Sequence, residues 1–187
     1  MQIRFLFKLF TTETCAGIIN RYDYKSFLGQ QLVPHAYCAK TVSHLLRART
    51  AEAGAVIVCG GGPGVMAAVC RGAQEAGGTT VGLLPGLDRQ TGNPHLTVSL
   101  PTGLDQGRNL LLVRASDALV AVGGGFGTLS EVALALRTGV PVVGLATWSL
   151  ALGGRPVDAF PVADDADTAA RLVLDAARAR AAGRDAP

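Results

Sequence analysis

Two short apolar runs, Ala55–Cys59 and Asp117–Val122, lead directly into three consecutive glycines, and a helical pattern follows each triplet. Runs with almost no polar residue in them read as strands covered on both faces. A strand that passes through glycines into a helix is the repeating unit of a parallel sheet, because the helix must carry the chain back for the next strand. The same alternation continues elsewhere. Helices are predicted over Ala36–Ala53, from Pro63 to about Ala76, over Asp105–Ala115, from the second glycine loop to about Thr138, and finally to about Ala182, with Asp165 or Asp167 as cap. Further strands are predicted at Thr79–Leu84, Thr97–Leu100 and Val140–Leu145, the last of the series, and a loop then carries the single tryptophan, Trp148. The expected fold is α/β: a Rossmann-like, doubly wound, mostly parallel sheet with helices on both faces.

A chain of 187 residues with 49% hydrophobic residues has enough apolar mass for one such core. All three lysines and all three tyrosines lie at or before residue 40. The reading is therefore a segment 1–35, whose structure the pattern does not specify, and a nucleotide-binding domain over 36–187. Gln2–Phe10 has the composition of a strand, but no glycine turn leads from it into the following helix.

Charge and cysteine usage narrow the function. The net charge is +3, with no basic run interleaved with aromatics, so a nucleic-acid partner is not expected. No stretch reaches the roughly 18 apolar residues of a membrane span, so no membrane partner is expected. The cysteines at 15, 38, 59 and 70 match neither a zinc template nor a dense disulfide framework. They read as free thiols in a reducing, cytoplasmic setting, with no metal site and no cofactor.

Both glycine loops fall at strand C-terminal ends, where open α/β sheets bind ligands. Gly60, Gly61 and Gly62 form one, and Gly124, Gly125, Gly127 and Thr128 the binding part of the other. Glycines let main-chain N–H groups approach a phosphate, and a helix start adds unpaired donors and a positive dipole end. The second loop is neither the dinucleotide fingerprint nor a Walker loop, since its spacing differs and the lysine is missing. Glu131 is the only charged residue between Ala118 and Leu136. A carboxylate in so apolar a stretch needs a partner or water, and it shares a helix face with Thr128. The same spacing also fits a capping box. Arg108 offers two-pronged donation to a phosphate, or equally a surface ion pair.

The segments Gly123–Glu131, Cys59–Met66 and Thr102–Asn109 together resemble the motifs of the LOG ("lonely guy") family, in the family's order. The resemblance is closest to the bacterial branch of Rossmann-fold nucleotide-binding proteins that also holds molybdenum-cofactor carriers. It covers about Tyr37 to Leu145. In active LOG enzymes the reaction is hydrolysis of the N-glycosidic bond of a nucleoside 5′-monophosphate, giving free base and ribose 5-phosphate. The resemblance implies that Gly124, Gly125, Gly127 and Thr128 hold the phosphate and that Arg108 and Glu131 form the catalytic pair. It also implies a homodimer. Gly123 stands where active enzymes usually have proline, and Asn109 where they have lysine. Those departures point to the alternative, a carrier or binding protein for a nucleotide or the molybdenum cofactor. A lysine decarboxylase is excluded as a reading, because no lysine follows Lys40 to form a Schiff base near the loops.

Overall fold

The computed structural model describes the backbone of residues 4–8 and residues 54–184. The helix expected over Ala36–Ala53 lies outside these residues.

The chain forms strand β1 at Arg4–Lys8, β2 at Val56–Cys59, helix α1 at Val65–Glu75, β3 at Thr79–Leu84 and β4 at Val98–Pro101. Helix α2 spans Arg108–Arg114, β5 Ala118–Val122, α3 Phe126–Arg137 and β6 Val142–Leu145. Three short strands follow: β7 at Leu150–Leu152, β8 at Arg155–Val157 and β9 at Val162–Ala163, before α4 at Ala166–Arg184. Val142–Leu145 is thus not the last strand. Strand β9 extends the main sheet, and β7 and β8 pair as a separate antiparallel hairpin closed by Gly153 and Gly154, both at positive φ. These strands are two or three residues long and mostly exposed, too short and too polar-facing to give a hydrophobic period.

The main sheet has the order β4-β3-β2-β1-β5-β6-β9, and every pairing in it is parallel. The strand suggested within Gln2–Phe10 forms over Arg4–Lys8 and lies between β2 and β5. The order reverses at β1 and β5. From β1 the chain builds outward through β2, β3 and β4, then returns to build the other side from β5. This is the switch point at which doubly wound sheets open a crevice beyond their strand C-termini.

Two cores sit on opposite faces of the sheet. On one, Ile57, Cys59, Val120, Val122 and Val143 pack against α1 and α4. On the other, Val56, Val58, Leu119, Ala121 and Val142 pack against α2 and α3. Alternate residues of one strand serve alternate cores, which explains the unbroken apolar runs. Helix α4 buries Ala166, Ala169, Ala170, Val173, Leu174 and Ala177, an apolar stripe at helical spacing. Asp165 caps its start: Oδ1 accepts from the Thr168 N–H at 2.8 Å, and Oδ2 from the Thr168 hydroxyl at 3.0 Å. Asp165, not Asp167, is the capping residue.

Candidate functional site

The glycine loops follow β2 and β5, the two strands that flank β1. They stand two strand spacings apart, about 10 Å, on either side of the switch point. Both helices that leave them start bare. Helix α1 has Gly64 as N-cap and α3 has Gly125; neither start has a side-chain cap bond or an acidic residue in its first turn. Helix α1 begins at Val65, two residues later than the proline-led start expected from Pro63. The first N–H groups of a helix have no partner within it, so two positive helix ends stand at the same edge of the sheet.

The loop carbonyls are turned onto protein donors. Asn93 donates from its main-chain N–H to the Gly61 carbonyl at 2.8 Å, and from Nδ2 to the Gly62 carbonyl at 3.1 Å. At the second loop the Thr147 hydroxyl donates to the Gly123 carbonyl at 2.5 Å, and Trp148 Nε1 to the Gly125 carbonyl at 3.3 Å. Holding the carbonyls of Gly61, Gly62, Gly123 and Gly125 on protein donors keeps these four from facing a ligand, as an anion nest requires. Sequence reading missed Asn93, Thr147 and Trp148 as loop holders, because each acts across at least 23 residues of chain. The Asn93-Pro94 pair, a turn signal, was the one local hint.

Gly123 has φ 66°, and a side chain there would point into open space. The need for glycine is conformational. A proline ring fixes φ near −65°, so proline, usual at this position in active LOG enzymes, does not fit the loop as it is built here.

Beneath the loops lies a buried polar cluster. Arg108 opens α2, after a 3-10 turn at Asp105–Gly107, so the helix expected over Asp105–Ala115 is a turn followed by a shorter α-helix. Arg108 is 6% exposed, Thr128 1% and Glu131 1%. This rules out the surface ion pair for Arg108. It also rules out the capping box: Gly125 is the N-cap of α3, and Thr128 lies in the helix with Glu131 three residues on, on the same buried face. Burial lowers the pKa of Arg108, and the Glu131 carboxylate is the strongest charge opposing that shift. Among the described residues, Arg108 Nε and Nη1 and Thr128 Oγ1 are buried with no hydrogen-bond partner. Asn109 Nδ2 donates to the Ser130 hydroxyl at 2.9 Å, which in turn donates to the Gly127 carbonyl, tying α2 to the first turn of α3.

The Arg108 guanidinium reaches Gly60: a Cβ on that glycine would lie 2.7 Å from Nη2. The structure therefore brings Arg108 and Glu131 within interaction range, buries Thr128 one helical turn before Glu131, and sets Arg108 against the first loop. Gly62 has a different neighbour, since a Cβ there would meet Met66 Cε at 2.5 Å. Behind the loop, Cys59 and Cys70 hold their sulfurs 3.6 Å apart, and the Gly61 N–H donates to Cys59 Sγ at 3.3 Å. The hydrogen bond with Cys70 and burial push the Cys59 thiol up, so it supports the loop as a neutral group. Among the described residues, no group of three or more His, Cys, Asp or Glu is placed to hold a metal ion. Nor is any helix among them long and apolar enough to cross a membrane.

Fold and site together define a Rossmann-like α/β protein with paired glycine loops at its switch point. The chain belongs to the SLOG cluster4 family, whose model matches residues 33–175. The LOG-like resemblance read from the three motifs is thereby borne out. Over 95 residues the chain is 42% identical to an uncharacterized protein of Archaeoglobus fulgidus, a match covering 51% of this chain and 62% of that one. The match therefore spans less than two thirds of that relative's length. Among solved structures, the chain is similar to the molybdenum cofactor carrier protein of Chlamydomonas reinhardtii, with a TM-score of 0.70, 28% identity, and 94% and 98% of the two chains covered. It is also similar to the molybdenum cofactor binding protein of the phototrophic bacterium Rippkaea orientalis, with a TM-score of 0.67, 25% identity, and 93% and 96% covered.

Proposed function

We propose that this protein binds a phosphate-bearing small molecule, a nucleotide or the molybdenum cofactor as cargo, in the crevice between its two glycine loops. The observation that carries the reading is the presence of two uncapped helix starts at one sheet edge together with buried donors at Arg108 and Thr128 that have no partner among the described residues. Burying a guanidinium costs several kcal/mol unless an anion compensates it, and Glu131 supplies one such charge from within the protein. A ligand phosphate would supply another. The main-chain N–H groups of Gly124, Gly125 and Gly127, with the Thr128 hydroxyl, would hold that phosphate, and Gly60, Gly61 and Gly62 would close the opposite wall. Similarity to a molybdenum cofactor carrier and a molybdenum cofactor binding protein supports carriage. Mass spectrometry of small molecules released from natively purified protein tests it. A phosphorylated pterin or nucleotide at near-stoichiometric amount is expected. If nothing co-purifies, and no such compound raises the melting temperature, the reading fails; a ligand at 100 times its Kd adds about 2.7 kcal/mol.

A second reading rests on Glu131 itself. A carboxylate fixed next to a phosphate loop stabilises positive charge growing at an anomeric carbon, so hydrolysis of a nucleoside 5′-monophosphate to base and ribose 5-phosphate is the reaction this pair would perform. Release of free base from a panel of monophosphates, compared with the Glu131→Gln variant, tests it; equal rates would exclude it. Exposed Leu110 and Leu111 on α2, and Val98 and Leu100 on the edge strand β4, support the homodimer as an assembly to be checked by light scattering.

A further inference from the structure

Trp148 is the only tryptophan in the chain, and it is held over the second glycine loop. Its single polar atom is already committed to the Gly125 carbonyl at 3.3 Å. Its indole lies against Gly124, where a Cβ would sit 3.1 Å from Nε1 and 3.4 Å from Cε2. The indole therefore has only apolar surface left to offer. Phe126 rises beside it from the first turn of α3, with ring centroids 5.9 Å apart and planes tilted by 34°. Phe126 is 64% exposed. A single exposed apolar ring is ordinary on a protein surface, but this one is paired with a second ring that is held on the second glycine loop. An aromatic face beside a phosphate cradle suits a ligand that is charged at one end and flat at the other, because every heterocyclic base presents a π-face to stack.

We propose that Phe126 and Trp148 form the platform for the flat heterocycle of the bound ligand, a purine or a pterin whose phosphate lies on the adjoining loop. The inference rests on the phosphate-site reading above and deepens it. The strand order places the parts. Gly60 and Arg108 stand at the β2 end of the crevice, the second glycine loop at β5, and Trp148 follows β6. The heterocycle thus lies toward the β6 side of the second glycine loop. A Cβ at Gly124 would press on the indole at 3.1 Å, so glycine there eases the close approach of Trp148 to the loop. A sugar phosphate without a flat heterocycle would use the loop and leave the platform bare.

The lone tryptophan makes the test direct. Full-length protein is titrated with AMP, GMP, neopterin monophosphate and ribose 5-phosphate, reading Trp148 emission and, separately, calorimetric affinity. At least one of the three ring-bearing phosphates is expected to quench Trp148 saturably and to bind at least tenfold more tightly than ribose 5-phosphate, which binds without quenching. Phe126→Ala is expected to weaken the ring-bearing ligand about tenfold and to leave ribose 5-phosphate within twofold. Phe126→Tyr restores the difference. Binding of ring-bearing ligands with unchanged emission and no loss in Phe126→Ala would overturn the platform while leaving the phosphate site standing. Absence of binding by all four compounds would overturn both.

Discussion

The guanidinium of Arg108 occupies the space that a side chain at Gly60 would need: a Cβ on Gly60 would lie 2.7 Å from Nη2 and 3.0 Å from Cζ. Glycine at position 60 is thereby linked to an arginine 48 residues further on, and the first loop is shaped as much by its own protein as by any ligand.

Substitution Gly60→Ala tests that link. The added methyl meets the far end of a side chain that can swing aside, so the fold should survive with the about 1–3 kcal/mol penalty of overpacking. Arg108 should leave its place, and phosphate-ligand affinity should fall at least tenfold, about 1.4 kcal/mol. Thermal unfolding and calorimetry separate the two effects. Wild-type affinity in the variant would show that Arg108 has no part in binding.

Gly123 allows a second test. Its φ of 66° suits glycine and excludes proline, and its N–H donates to the Leu145 carbonyl at 3.3 Å. Gly123→Pro should cost about 3 kcal/mol or more, through the fixed ring and the lost donor. Gly123→Ala should cost only about 1–2 kcal/mol, since its Cβ meets nothing and only the left-handed backbone is penalised. Urea denaturation measures both. A proline variant as stable as wild type would mean that the loop can adopt the form carried by active LOG enzymes.

Much of this architecture is legible in the sequence, and the reasons for the misses are physical. The buried strands β2, β5 and β6 read directly from apolar runs because a two-sided core leaves little room for polar residues. Strands β7 and β8 gave no such run, although the Gly153-Gly154 pair between them is a hairpin signal. Of the candidate site, Glu131 stood out because nothing else in its stretch is charged, and its burial follows from that. Whether Arg108 was a surface or a buried residue could not be decided locally, since it depends on how α2 packs against α3 and β2. Asn93, Thr147 and Trp148 were invisible as loop holders for the same reason: their hydrogen bonds exist only after the crossovers are made.

The helix cap at Asp165 gives a pH dependence. The main-chain N–H of Thr168, and then its hydroxyl, hold this carboxyl below its ordinary value. A carboxyl whose pKa is lower in the folded state stabilises the fold above its unfolded pKa, and the gain is lost as pH falls through the folded pKa. Asp165→Ala should therefore lower Tm at neutral pH. The gap from wild type should narrow on acidification and close once the wild-type carboxyl is protonated. Melting curves across that range check it. A gap independent of pH would assign the effect to something other than the charged cap.

The proposed function depends above all on a phosphate held by the second glycine loop together with Arg108 and Thr128. Calorimetric titration of a nucleoside 5′-monophosphate or a phosphorylated pterin into wild type, Arg108→Met and Thr128→Val tests it most directly. Hydrogen bonds to a charged group are worth about 1.5–3 kcal/mol each, so each variant should lose at least tenfold in affinity while remaining folded by circular dichroism. Equal affinity in all three proteins would mean that neither Arg108 nor Thr128 holds the phosphate.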